Sequence, residues 1–130
     1  AGWDTSNLFE SITHHPDFGA RLQWFRDLDD VALMTAVRRA SVGVMASRDE
    51  GFGLFLEEGL SRGLKMVVSD IPVFRERTQD NVWFTGLAPE ELAASILMAH
   101  REPWREPRRP IRRMSDFIED LSSLLLDVSS

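Results

Sequence analysis

No cysteine occurs in the 130 residues. That excludes disulfides, thiolate metal sites and cysteine nucleophiles, and it fits a reducing compartment. No apolar run approaches the roughly 20 residues a membrane-spanning helix requires, and the N-terminus lacks the basic-then-apolar pattern of a secretory signal. The chain therefore reads as soluble and cytoplasmic. Basic residues are outnumbered, 15 against 21 acidic, giving a formal charge of −6. A general nucleic-acid partner is disfavoured, because phosphate backbones call for a basic face. An initiating methionine is missing too: the sequence opens AGWDTSN, which reads as a chain that has been cut.

What is present has the size of one globular domain, 43% hydrophobic, with enough apolar mass for a core. Four short runs, RLQWF (21–25), SVGVMA (41–46), KMVVS (65–69) and NVWFT (81–85), carry apolar residues without strict alternation, as strands buried on both faces do. Helix patterns separate them. In DDVALMTAVRRA (29–40), Val31, Met34 and Val37 recur every three residues behind aspartates suited to an N-cap. GLFLEEGLSRG (53–63) gives one or two turns ending at Gly63, while PVFRER (72–77) and PEELAASILMAH (89–100) each open on proline. This order predicts an α/β fold, a parallel Rossmann-like sheet with flanking helices.

The tail reads differently. REPWREPRRPIRR (101–113) has three prolines and six arginines against two glutamates, the composition of a stiff basic connector. From Ile111 to Val128 apolar residues follow a three-four spacing, an amphipathic helix whose stripe covers a protein surface or lies against a membrane face. The expected division is a partial Rossmann-like domain over 1–100 and a basic connector with a C-terminal amphipathic helix over 101–130.

The chemistry concentrates in SRDEGFGLFLEEGLSRG, residues 47–63. In doubly wound sheets, ligands bind beyond the carboxyl ends of the strands, and this stretch leaves the end of SVGVMA. The amides of Gly51, Phe52 and Gly53, with the positive end of the next helix, make a small anion site suited to a diphosphate. Ionised carboxylates accept hydrogen bonds and donate none, so vicinal hydroxyls of a sugar or ribose are natural partners of Glu50 and Glu58. Glu57 reads as a solvated helix residue. His14, His15 and His100 sit at helix ends, where imidazolium suits the dipole, and no metal site is expected. Arg48 and Arg75 are surface charges or phosphate ligands on sequence alone.

The stretch ASRDEGFGLFLEEGLSRGLKMVVSDIPVFRE resembles the signature of the retaining glycosyltransferases of the GT-B fold, family four, in which two glutamates separated by seven residues bracket a Gly-Phe-Gly turn. Glu50 and Glu58 stand at that spacing. The likeness covers roughly residues 1–100. It implies that Glu50 binds hydroxyls of the transferred sugar as the catalytic-site carboxylate, with the amides of Phe52, Gly53 and Leu54 near sugar and diphosphate. It further implies that Glu58 binds the ribose and that the loop with Trp24, Phe25 and Arg26 holds the base. The implied reaction is retaining transfer of a sugar from a nucleotide-sugar, bound as substrate with no cofactor or metal, to a glycan or lipid-linked acceptor in polysaccharide biosynthesis.

Phe55, Gly59 and Lys65 depart from the family pattern, where proline, alanine and proline are usual. Gly59 costs its helix about 1 kcal/mol relative to alanine, which predicts a close packing contact or a looser helix. Against the family, the chain lacks an acceptor domain and the first two strand-helix units of the donor domain. The N-terminal half of its own enzyme is then an expected partner. Alone, the chain should show an open seam between the strand at 21–25 and SVGVMA; it is expected to repair its sheet, pair with a second copy or bind the donor poorly, and to be inactive. The rival readings are a sugar-nucleotide epimerase of the same architecture, a glycosidase, whose two carboxylates flank a sugar bond, and a non-catalytic interaction domain.

Overall fold

The computed structural model describes residues 6–76 and 80–106. The chain divides into two compact units, Ala1–Leu33 and Met34–Ser130. The amphipathic stripe of 111–128 and most of the basic connector lie outside the described residues.

In the first unit α1 (Ser6–Thr13) is followed by a tight turn rather than the expected strand over 21–25. One isolated parallel bridge, Phe18 to Leu22, is all the pairing that segment has among the described residues. The reason is local. The Asp17 carbonyl accepts the amides of Ala20, Arg21 and Leu22 at 2.9–3.1 Å, and the Gly19 amide donates to Leu22 O at 2.8 Å. The Arg21 guanidinium grips both carboxylate oxygens of Asp17. Backbone groups that a neighbouring strand would have satisfied are thus partnered within the turn. Helix α2 (Asp30–Arg39) spans the junction of the units, and its N-terminus is capped by Asp29, which accepts the Ala32 amide at 2.7 Å.

The second unit holds β1 (Val42–Met45), α3 (Leu54–Ser61), β2 (Lys65–Ser69), α4 (Pro72–Arg75), β3 (Val82–Thr85) and α5 (Pro89–Arg101). The three strands form a parallel sheet in the order β1-β2-β3, with Gly43 opposite Met66 and Val68 opposite Phe84. In β2 the alternate residues Met66 and Val68 and the intervening Val67 are all fully buried, so both faces of the central strand are covered, as its unbroken apolar run predicts. The core gathers Leu56 and Leu60 of α3, Leu64, Met66 and Val68, and Phe74 of α4. Flanked by helices, this open parallel sheet is that of a Rossmann-like domain fragment. No helix among the described residues is long and apolar enough to cross a membrane.

Two glycines set how closely this core closes. A Cβ on Gly43 would lie 2.6 Å from the Met66 sulfur and 2.7 Å from Leu64 Cδ2, and a Cβ on Gly59 would also lie 2.6 Å from that sulfur. The thioether of Met66 occupies the space that both missing side chains leave. The contact expected of Gly59 is therefore real, and it offsets the helix propensity that glycine forfeits. Helix α3 stops in a Schellman turn: Gly63, at φ 81°, donates to Leu60 O and Leu64 donates to Gly59 O.

Far from the glycine turn, two polar residues tie down the chain leaving α5. Lys65 Nζ donates to the carbonyls of His100 and Glu102 at 3.0 and 2.7 Å, so the residue that departs from the family's proline meets the last carbonyls of α5. The Asn81 side chain, buried and on a left-handed backbone at φ 67°, donates to Arg105 O and accepts from Arg105 N at 2.7 and 2.8 Å.

Gly43→Ala is expected to lose about 1–3 kcal/mol of stability by overpacking, measured by urea unfolding. The double variant Gly43→Ala/Met66→Val should lose less than the sum of the single changes; strict additivity would show that Met66 is not the obstacle.

Candidate functional site

Strand β1 ends at Met45, whose carbonyl accepts the hydroxyl of the buried Ser69 at 3.1 Å. This bond fixes the point from which the loop 46–53 departs. Within the loop Ser47 and Glu50 are half-buried, whereas Arg48, Asp49, Gly51 and Phe52 are exposed. The Glu50 amide donates to Asp49 Oδ1 at 2.9 Å. The Ser47 hydroxyl reaches Glu50 Oε2 at 3.3 Å.

Gly53 closes the loop and opens α3. It takes the left-handed conformation, φ 69° and ψ 43°, and a Cβ there would lie 2.7 Å from the Phe74 ring. Both facts require glycine. Because Gly53 is the N-cap, no side chain caps α3, and the amides of Leu54 and Phe55, in its first turn, have no acceptor within the helix. Leu54 and Glu58 lie one turn apart on the exposed side of α3, while Leu56 and Leu60 are buried on the other. The segment thus brings Glu50, Gly51, Phe52, Gly53, Leu54 and Glu58 together around one helix N-terminus. Its positive end favours an anion, and its two carboxylates are acceptors for hydroxyls.

Phe74 is held under Gly53 by α4. Arg75 of that helix donates through Nε and Nη2 to both oxygens of Asp70, the residue after β2, and its guanidinium lies 5.5 Å from the centre of the Phe84 ring. The hydrogen bonds from Arg75 hold the Asp70 carboxyl below the usual carboxylate range, and the same bonds raise Arg75. Arg75, a phosphate candidate on sequence, is engaged with a carboxylate instead.

Trp24, Phe25 and Arg26 belong to the first unit. There the Trp24 ring meets Phe9 edge-on, at 6.0 Å and 82°, and the Arg26 guanidinium lies 5.7 Å from the Phe9 ring centre. Phe25 is 61% exposed. The three form an aromatic and cationic surface on the loop that sequence reading singled out. Ser47, whose hydroxyl meets Glu50, was not singled out in the sequence; the available signal was a hydroxyl three residues before a carboxylate in a turn.

A cleft of about 280 Å³ opens at the other end of the strands, lined by Asp80, Asn81, Val82, Trp83, Glu102 and Arg105. Its polar groups are largely engaged with one another: Asn81 with the Arg105 backbone, and Arg105 with Glu102 at 3.2 Å. The chemistry of the glycine turn lies elsewhere.

Residues 1–114 match the family model described as glycosyl transferases group 1. Three forms of the serotype-specific mannosyltransferase WbdA of Escherichia coli are 36% identical over 96 residues, which is 73% of this chain and 11–12% of each relative. The matched stretch is thus about an eighth of the length of these curated relatives. No solved structure matches the chain.

The Asp70–Arg75 pair predicts a pH signature. A carboxylate whose pKa is lowered by folding contributes stability above its unfolded pKa, about 4, and loses that contribution as pH falls through its lowered folded value. Asp70→Asn should therefore melt below the parent at pH 7, with the gap in Tm closing toward pH 2. A gap independent of pH would assign the loss to packing.

Proposed function

The chain belongs to the glycosyl transferases group 1 family, and from that premise we propose that the loop 47–53 and α3 bind the nucleotide-sugar donor of a retaining, family-four type transfer of mannose to a growing glycan. The observation that carries the reading is the helix N-terminus opening at left-handed Gly53 with no side-chain cap, bracketed by Glu50 and Glu58. Mannose is taken from the relatives' activity; the placement of the donor rests on the loop.

In this reading the diphosphate lies against the amides of Gly51, Phe52, Gly53 and Leu54. When the bond from the sugar to the diphosphate breaks, negative charge grows on the departing phosphate. Pre-aligned amides and the helix end stabilise that charge without having to reorganise. No metal is required of the residues in this role. Glu50 accepts hydrogen bonds from hydroxyls of the transferred sugar and fixes the face of the ring it presents. Glu58, exposed and one turn further along α3, accepts from the ribose hydroxyls.

The sheet bears on the partner. Among the described residues β1 pairs only with β2, and its other edge is where the remaining strands of a complete donor domain would add. We therefore assign the full activity to a larger assembly that includes an acceptor-binding half, with the present chain binding the donor less tightly than that whole.

Calorimetric titration of the chain with guanosine and uridine diphosphates and their mannose and glucose esters tests the reading. A ribose held by a charged hydrogen bond contributes about 1.5–3 kcal/mol. Glu58→Ala is then expected to weaken nucleotide binding roughly ten- to a hundredfold. An unchanged affinity removes Glu58 from the site.

A further inference from the structure

Resting on the donor-site reading just given, we propose that Ser47 is a positioning residue for Glu50, holding one carboxylate oxygen so that the other is presented to the sugar. An ionised carboxylate can only accept, so the Ser47 hydroxyl must be the donor in the 3.3 Å contact with Oε2. Oε1 has no hydrogen-bond partner among the described residues and keeps its lone pairs for sugar hydroxyls. The backbone of Glu50 is held separately, through its amide and Asp49 Oδ1 at 2.9 Å. Glu50 is thus held firmly at its backbone and more loosely at its carboxylate, in a loop whose two borders are themselves fixed. One border is the Met45 carbonyl bonded by Ser69; the other is Gly53 against the Phe74 ring.

The length of the Ser47 contact is informative. Hydroxyl-to-carboxylate bonds usually span about 2.5–3.0 Å, so this one is slack. Hydrogen bonds among site residues are often long without substrate and tighten when it binds. A glutamate free to rotate about its side-chain bonds must be ordered when it grips a sugar, and that ordering lowers affinity. A neighbouring hydroxyl that already restricts the carboxylate removes part of this cost. The effect falls on the sugar alone, since Glu50 has no role toward the nucleoside diphosphate.

The test compares Ser47→Ala, Ser47→Thr and Glu50→Ala in the 130-residue chain. Each is titrated with guanosine and uridine diphosphates and with their mannose esters, and each Tm is recorded. Ser47→Ala should weaken binding of the preferred mannose ester roughly three- to tenfold, as expected for the ordering of one side chain. Its affinity for the bare diphosphate and its Tm should stay at parental values, and Ser47→Thr, which keeps the hydroxyl, should restore the ester. Equal weakening of ester and diphosphate by Ser47→Ala would overturn the proposal in favour of a general structural role. If Glu50→Ala discriminates the two ligands and Ser47→Ala does not, the positioning role fails while the donor site stands. If Glu50→Ala leaves the ester unaffected, the assignment of Glu50 to the sugar falls, and the positioning role with it.

Discussion

The thioether of Met66 fills the volume left by the absent side chains of Gly43 and Gly59, and the rest of the site depends on that fit. Gly43 belongs to the strand that delivers the loop, Gly59 to the helix that receives it, and Met66 to the strand that follows that helix and pairs with the first. A methyl group on either glycine would push strand and helix apart, and the eight residues from Ala46 to Gly53 would have to span a different gap. Methionine suits the place, being unbranched and able to fill an irregular space. At close range the loop is shaped by two further packing contacts. Phe74 lies under Gly53, and the Asp70–Arg75 pair keeps the short α4 against Phe84.

The site itself needs little material. In the proposed donor site, one strand end, one glycine in the left-handed region and one uncapped helix would form the anion-binding element, with two glutamates as acceptors beside it. Such economy follows from the parallel sheet, which sends every strand toward the same end and lets helices begin there. A chain of net charge −6 can accommodate a diphosphate on these terms, because the positive potential comes from aligned peptide dipoles rather than from the sum of its side chains.

Much of this was legible in the sequence, because the signals were local. Proline at the first position of α4 and α5, Gly63 behind α3 and the unbroken apolar run of β2 each report a backbone requirement within a few residues. The misreading over 21–25 has an equally local cause: an apolar run becomes a strand only beside another strand, and here Asp17 and Gly19 bind the backbone first. What could not be read is long-range. That Lys65 would reach the carbonyls of residues 100 and 102, or that Gly59 would face a sulfur from the next strand, depends on distances that only the folded chain sets. Ser47 lies between these cases, close to Glu50 in sequence but significant only through the direction of one hydroxyl.

The double bond of Asn81 to the backbone of Arg105 has a mechanical side. It joins the outgoing chain to the head of the edge strand β3, just past the point where Lys65 grips the last turn of α5. Lifting residues 100–105 off the sheet would require breaking both of these bonds together with the two from Lys65, and none of the four involves the loop at the opposite ends of the strands.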